Sequence, residues 1–101
     1  MTKEEKAHQD RVASLGCIAC ALDGMVVPRV SIHHCNGRVK PGAHMQVLPL
    51  CYLHHQSGSQ SAPSIHPWKR RFIAKYGTQE SLMARVDVAL SGGDWMDLTP
   101  K

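Results

Sequence analysis

The chain has 101 residues, carries 12 Lys and Arg against 8 Asp and Glu for a formal net charge of +4, and contains one Phe, two Trp and two Tyr. That length bounds it to one small domain whose core needs help from a staple such as a metal ion. No stretch approaches the roughly 18 apolar residues of a membrane span, and Met1-Thr2-Lys3-Glu4-Glu5-Lys6 lacks the apolar run of a signal peptide, so a cytoplasmic location with reduced cysteines is expected.

In chain order, Thr2 and Glu5 form a capping-box pattern that opens a helix over residues 3–15, with Ala7, Val12 and Leu15 as its apolar positions and Gly16 as its stop. The chain then reaches Cys17-Ile18-Ala19-Cys20, a knuckle turn, followed by Asp23-Gly24. Met25 to Ile32 is rich in β-branched residues and reads as a strand edged or interrupted at Pro28, with His33 and His34 at its end. Asn36-Gly37 and Pro41-Gly42 are turn signals around a basic loop, and Gln46-Val47-Leu48 suits a short returning strand. Cys51-Tyr52-Leu53-His54 opens a helix that carries His55 and dissolves at Ser57-Gly58-Ser59-Gln60-Ser61. Pro67 fits the first position of the next helix, Trp68 to Tyr76, in which Trp68, Phe72 and Tyr76 recur every four residues on a core-facing side. A last helix runs from Thr78 to Leu90 on the stripe Leu82, Val86 and Leu90, and stops at Gly92-Gly93. The tail 94–101 has no period.

Two ligand pairs, each separated by two residues, let one turn of chain present both members to one ion. Cys17, Cys20, Cys51 and His54 therefore read as a structural zinc shell, with Cys35 as the alternative to His54 for the fourth place. The zinc would staple the whole segment from Ala21 to Leu50. All histidines but His8 lie between His33 and His66, so coordinating capacity remains after that shell is filled. Neighbours on a helix stand about 100° apart, so His54 can close the shell while His55 faces a second site. Adjacent histidines in a regular strand point to opposite faces, so His33 and His34 can share a site only where the strand ends. Arg38 and Lys40 on one flank and Lys69 and Arg70 on the other are candidate phosphate contacts.

His33-His34, Gln46 and the run from Cys51 to His55 resemble the HNH, or ββα-metal, endonuclease pattern. More narrowly, His33-His34-Cys35-Asn36-Gly37-Arg38, the stretch from Val47 to Cys51 leading into His54-His55, and His66-Pro67-Trp68-Lys69 with Phe72 and Tyr76-Gly77 resemble the phage recombination-enhancement (Ref) nucleases directed by RecA. The resemblance implies a small zinc-stapled α+β fold: one HNH domain over residues 1–93, with the zinc knuckle at 17–20, a ββα core at about 26–58 and C-terminal helices over 67–91. It makes His34 the general base and His33 and His55 ligands of a catalytic ion, Mg2+ or Mn2+, although an all-histidine site is softer than magnesium prefers and other divalent ions such as zinc or nickel can occupy it, while His66 is a candidate third ligand, a phosphate contact or a helix cap. It places Gln46 where the pattern usually has Asn, orienting the base or bracing the hairpin. It also implies DNA as substrate, a RecA filament on single-stranded DNA as partner, and a phage or bacterial setting. The competing reading is a non-catalytic zinc module that binds nucleic acid or a protein; the histidines beyond the zinc shell weigh against it.

Overall fold

The Thr2 cap forms as expected: its hydroxyl accepts from Glu5 N–H at 3.1 Å while the Glu5 carboxylate accepts from Thr2 N–H at 2.8 Å. Helix α1, Lys3–Ser14, starts there. Losing such a cap costs about 1 kcal/mol. Thr2→Ala is accordingly expected to lower the urea midpoint by that equivalent without changing the slope; an unchanged midpoint would show that the first helix contributes nothing through its cap.

The computed structural model describes residues 1–56 and 63–95. After α1 come α2 (Ile18–Leu22), β1 (Ser31–His34), a 3-10 turn (Ala43–Met45), β2 (Val47–Leu50), α3 (Tyr52–His55), α4 (Lys69–Tyr76) and α5 (Gln79–Leu90). The architecture is a small α+β fold whose described sheet is one antiparallel pair, with Ser31 opposite Leu50 and His34 opposite Val47. No described helix is long and apolar enough to cross a membrane.

All four residues of β2 are buried, between β1 on its edge and helices α1, α2 and α5 packed around it. Val12, Ile18, Leu48, Leu50, Ile65, Phe72, Leu82 and Val86 form the centre of the core. Each large side chain of that set contributes about 1.5–3 kcal/mol by leaving water. Gly16 has a φ of +81°, and a Cβ there would lie 3.0 Å from the Val27 carbonyl oxygen. That same carbonyl accepts from Cys17 N–H at 2.9 Å, so the glycine lets the chain turn tightly into the first cysteine pair.

Several elements differ from the sequence reading. The first strand begins at Ser31 rather than within 25–30 and includes both histidines. β2 offers only four residues to pair with, and Pro28 has no N–H to donate, so the upstream β-branched run stays outside the sheet. The knuckle is itself the start of α2, with Cys17 as its N-cap. The third helix from the C-terminus is a single turn, α3, and its expected dissolution over 57–61 lies outside the described residues, as does the tail from 96. Pro67 stands two residues ahead of α4, which begins at Lys69, because Trp68 takes the cap position.

Candidate active site and metal centre

Cys17, Cys20, Cys51 and His54 come together with all four donor atoms within 4.8 Å of one another, every one of them buried. Cys17 and Cys20 arrive from the N-terminus of α2, and Cys51 and His54 from that of α3. His54 Nδ1 lies 3.2, 3.4 and 3.7 Å from the sulfurs of Cys51, Cys20 and Cys17, and the Cys20 and Cys51 sulfurs are 3.7 Å apart. A tetrahedral ion bonded at about 2.3 Å to sulfur and about 2.0 Å to nitrogen sets sulfur pairs about 3.8 Å apart and sulfur–nitrogen pairs about 3.5 Å apart. The cluster thus has the dimensions of a shell for an ion such as zinc. A disulfide needs about 2.05 Å between sulfurs, and the cysteines are free. Burial pushes the Cys17 and Cys20 thiols up, so three neighbouring thiolates there need a cation to offset the lost hydration. His54, and not Cys35, is the fourth member; Cys35 lies at the other end of β1.

The outer face of His54 is fixed by two residues that no local pattern announces. Its Nε2–H donates to the Tyr76 hydroxyl oxygen at 2.9 Å, and that hydroxyl donates to Asp23 Oδ2 at 2.7 Å. This chain sets the tautomer that leaves Nδ1 free to face the sulfurs. Tyr76 belongs to the expected α4 stripe and Asp23 to the turn after the knuckle, so each was visible for another reason.

His33, His55 and His66 form a second group whose ligand atoms also lie within 4.8 Å of one another. β1 supplies His33, and α3 supplies His55 one residue after the first centre. His66 is brought in by the end of α3: the orphaned carbonyls of His54 and His55 accept from Ile65 N–H at 2.8 Å and His66 N–H at 3.1 Å. His33 Nε2–H donates to Gln79 Oε1 at 2.7 Å, which leaves Nδ1 with its lone pair. The Ser31 hydroxyl donates to the Leu50 carbonyl at 3.3 Å and accepts from His55 Nδ1–H at 2.7 Å, which leaves Nε2. Burial, opposed by the Gln79 bond and reinforced by the neighbouring imidazoles, holds His33 down to about 4, and burial likewise lowers His55. His33 and His55, each with one ring nitrogen left free of these hydrogen bonds, and His66 make a donor set that a divalent ion fits.

The two groups share α3, and the second faces a cleft of about 490 Å3. His34 lines the same cleft, with Arg38 and Lys69 on its walls and no carboxylate among the described residues that line it. Within β1 the two histidines diverge, as strand alternation requires: His34 Nε2 lies 3.2 Å from His44 Nδ1 and 3.4 Å from Gln9 Nε2, whereas His34 Nδ1 is closed from solvent and has no partner among the described residues. Gln9 also donates to the His44 carbonyl at 2.9 Å. From the sequence, His44 could approach the site from the hairpin or lie solvated on its loop, and Gln9 is not singled out; the approach of both depends on α1 packing over the 3-10 turn. Burial first, then Arg38 and His44, lower His34.

The remaining expected site residues are spread. Gln46 is exposed, accepts from the Asn36 side-chain amide, and gives its carbonyl to Cys35 N–H at 3.0 Å. Of the two jobs expected at the middle motif position, its contacts serve the hairpin and leave the cleft aside. Lys40 is exposed on the connecting loop, and Arg70 faces a separate shallow hollow on α4.

Comparison with known families gives one match over nearly the whole chain: the family model described as "Recombination enhancement, RecA-dependent nuclease" covers residues 1–90.

Proposed function

The chain belongs to the recombination enhancement, RecA-dependent nuclease family, and from that premise we propose that it is a metal-dependent DNA endonuclease of the HNH type, acting in the histidine cleft. The observation that carries this reading is the convergence of His33, His55 and His66 in a cleft that also holds His34, Arg38 and Lys69 and has no acidic residue among the described ones that line it. An anionic phosphodiester meets only cations and neutral donors there.

In this reading Cys17, Cys20, Cys51 and His54 hold a structural zinc, and His33, His55 and His66 hold the catalytic ion, Mg2+ or Mn2+. That ion supplies positive charge to the phosphate and to the departing oxygen. Arg38 and Lys69 bind the phosphate, with Lys40 and Arg70 engaging the strand further out. His34 is the base: its imidazole takes the proton of the water that attacks phosphorus, as the new P–O bond forms and the bond to the leaving sugar oxygen breaks. Gln9 and His44, whose nitrogens lie 3.4 and 3.2 Å from His34 Nε2, hold the ring in place, and Gln9 also fixes His44 through its carbonyl. Gln46 braces the hairpin. The lowered basicity of His34 keeps its lone pair free at neutral pH.

The test is nicking of supercoiled plasmid in Mg2+ or Mn2+, with and without a RecA filament on a homologous single strand. Cleavage that requires both an added divalent ion and the filament is the expected result. A plasmid left intact under every such condition contradicts the nuclease assignment.

Tyr76 supplies a separate check on the zinc centre. Tyr76→Phe removes the acceptor of His54 Nε2–H and the donor to Asp23, so zinc affinity is expected to fall by roughly 10- to 100-fold. Competition with a chromophoric chelator measures it, and wild-type affinity in the variant would remove Tyr76 and Asp23 from the support of that shell.

A further inference from the structure

Trp68 stands apart from the aromatic residues that build the core. Phe72 and Tyr76 on α4 are buried, and Trp95 packs against the same core, whereas Trp68 is only half-buried and is not among the residues packed against it. Core packing therefore does not account for a large apolar ring at this position.

Its surroundings suit a different use. The Arg71 guanidinium lies over the Trp68 ring, 5.5 Å from its centroid. Residues Pro67 to Arg71 line a hollow of about 330 Å3, and Lys69 lines both this hollow and the histidine cleft. Lys69, Arg70 and Arg71 form no ion pair among the described residues. An aromatic ring with the Arg71 guanidinium over one face and Lys69 and Arg70 beside it, two residues beyond the His66 corner of the cleft, combines the two elements that hold single-stranded nucleic acid: a stacking surface for the base and positive charge for the backbone.

We propose that Trp68 and Arg71 form a stacking subsite for an unpaired base of DNA, on a strand that leaves the cleft across Lys69. The ligand is single-stranded, because a base inside a duplex has both faces covered by its neighbours. The proposal rests on the nuclease reading for the direction of the strand, and its test is independent of cleavage.

A Trp95→Phe variant leaves Trp68 as the single tryptophan. With no divalent ion added, titration with short oligothymidine is expected to quench its emission, and a blunt duplex of equal length is not. In parallel, Trp68→Ala is expected to weaken binding of a fluorescein-labelled oligothymidine by about tenfold or more, with Trp68→Phe retaining most of the affinity. Unchanged Trp68 emission at saturating oligothymidine, or wild-type affinity in Trp68→Ala, would overturn the subsite. If affinity is unchanged while wild-type protein still nicks plasmid, the subsite alone falls; if Trp68 is quenched and plasmid is never nicked, the subsite stands and the catalytic reading falls.

Discussion

His34→Ala is expected to leave the fold and metal content in place and to lower DNA cleavage by about 10²- to 10⁴-fold, the usual contribution of a positioned general base. The fold is expected to survive because His34 is half-buried and touches the cleft, Gln9 and His44 rather than the centre of the core. Metal content is expected to survive because the two clusters that gather ligand atoms do not include it. Plasmid nicking at saturating Mn2+ with the RecA filament present, beside metal analysis and circular dichroism of the same preparations, separates loss of the base from loss of the scaffold. Equal cleavage by His34→Ala and wild type would remove His34 from the chemistry. The pH profile carries the same assignment. The base acts as neutral imidazole, and burial, Arg38 and His44 depress its pKa from the ordinary 6.5, so protonation sets in only below that value. The rate is therefore expected to be flat near neutrality and to fall as pH drops through a point under 6.5. An acid limb above the ordinary value would contradict the environment described for His34.

Removing the structural ion is expected to have the larger effect on the molecule as a whole. The four-ligand shell joins the N-termini of α2 and α3, and through them it fixes both β2 and the position of His55. In small zinc domains the ion's apparent binding free energy, about 10–16 kcal/mol, is also folding free energy. Few domains of this size hold that much stability in reserve. A strong chelator, or Cys17→Ser, is thus expected to abolish the cooperative thermal transition and the helical circular dichroism together. A chain that keeps its transition unchanged after complete metal removal would show the Cys/His cluster to be a packing feature of the core.

The parts of this fold that were legible in the sequence are those set within a few residues. The cysteine and histidine pairs, the Thr2 cap and the stripes of α4 and α5 all follow from spacing along one turn. The placement of His54 and His55 in two different clusters follows the same way, from the angle between helix neighbours. What spacing misses arises from one element approaching another. Gln9 and His44 reach His34 across the contact between α1 and the 3-10 turn, Gln79 reaches His33 from α5, and Asp23 reaches His54 through Tyr76. Nothing in the residues around Gln9 or Gln79 distinguishes them from surface amides. Trp68 shows the opposite failure: its four-residue spacing to Phe72 and Tyr76 suggests a core position, but α4 begins one residue later and the ring falls outside the packed stripe. The strand over 25–32 fails for a related reason, since β-branched composition needs a partner and β2 provides only four residues.

The central claim is that one chain carries two metal sites with different jobs. Native mass spectrometry in Mn2+, comparing wild type with His55→Ala, tests it most directly when each preparation is also assayed for plasmid nicking with the RecA filament. Two ions per wild-type chain and one per His55→Ala chain, with the circular dichroism unchanged and nicking lost only in the variant, is the predicted result. A wild type that nicks plasmid while holding a single ion, or a His55→Ala chain that retains both ions and full cleavage, would contradict the claim.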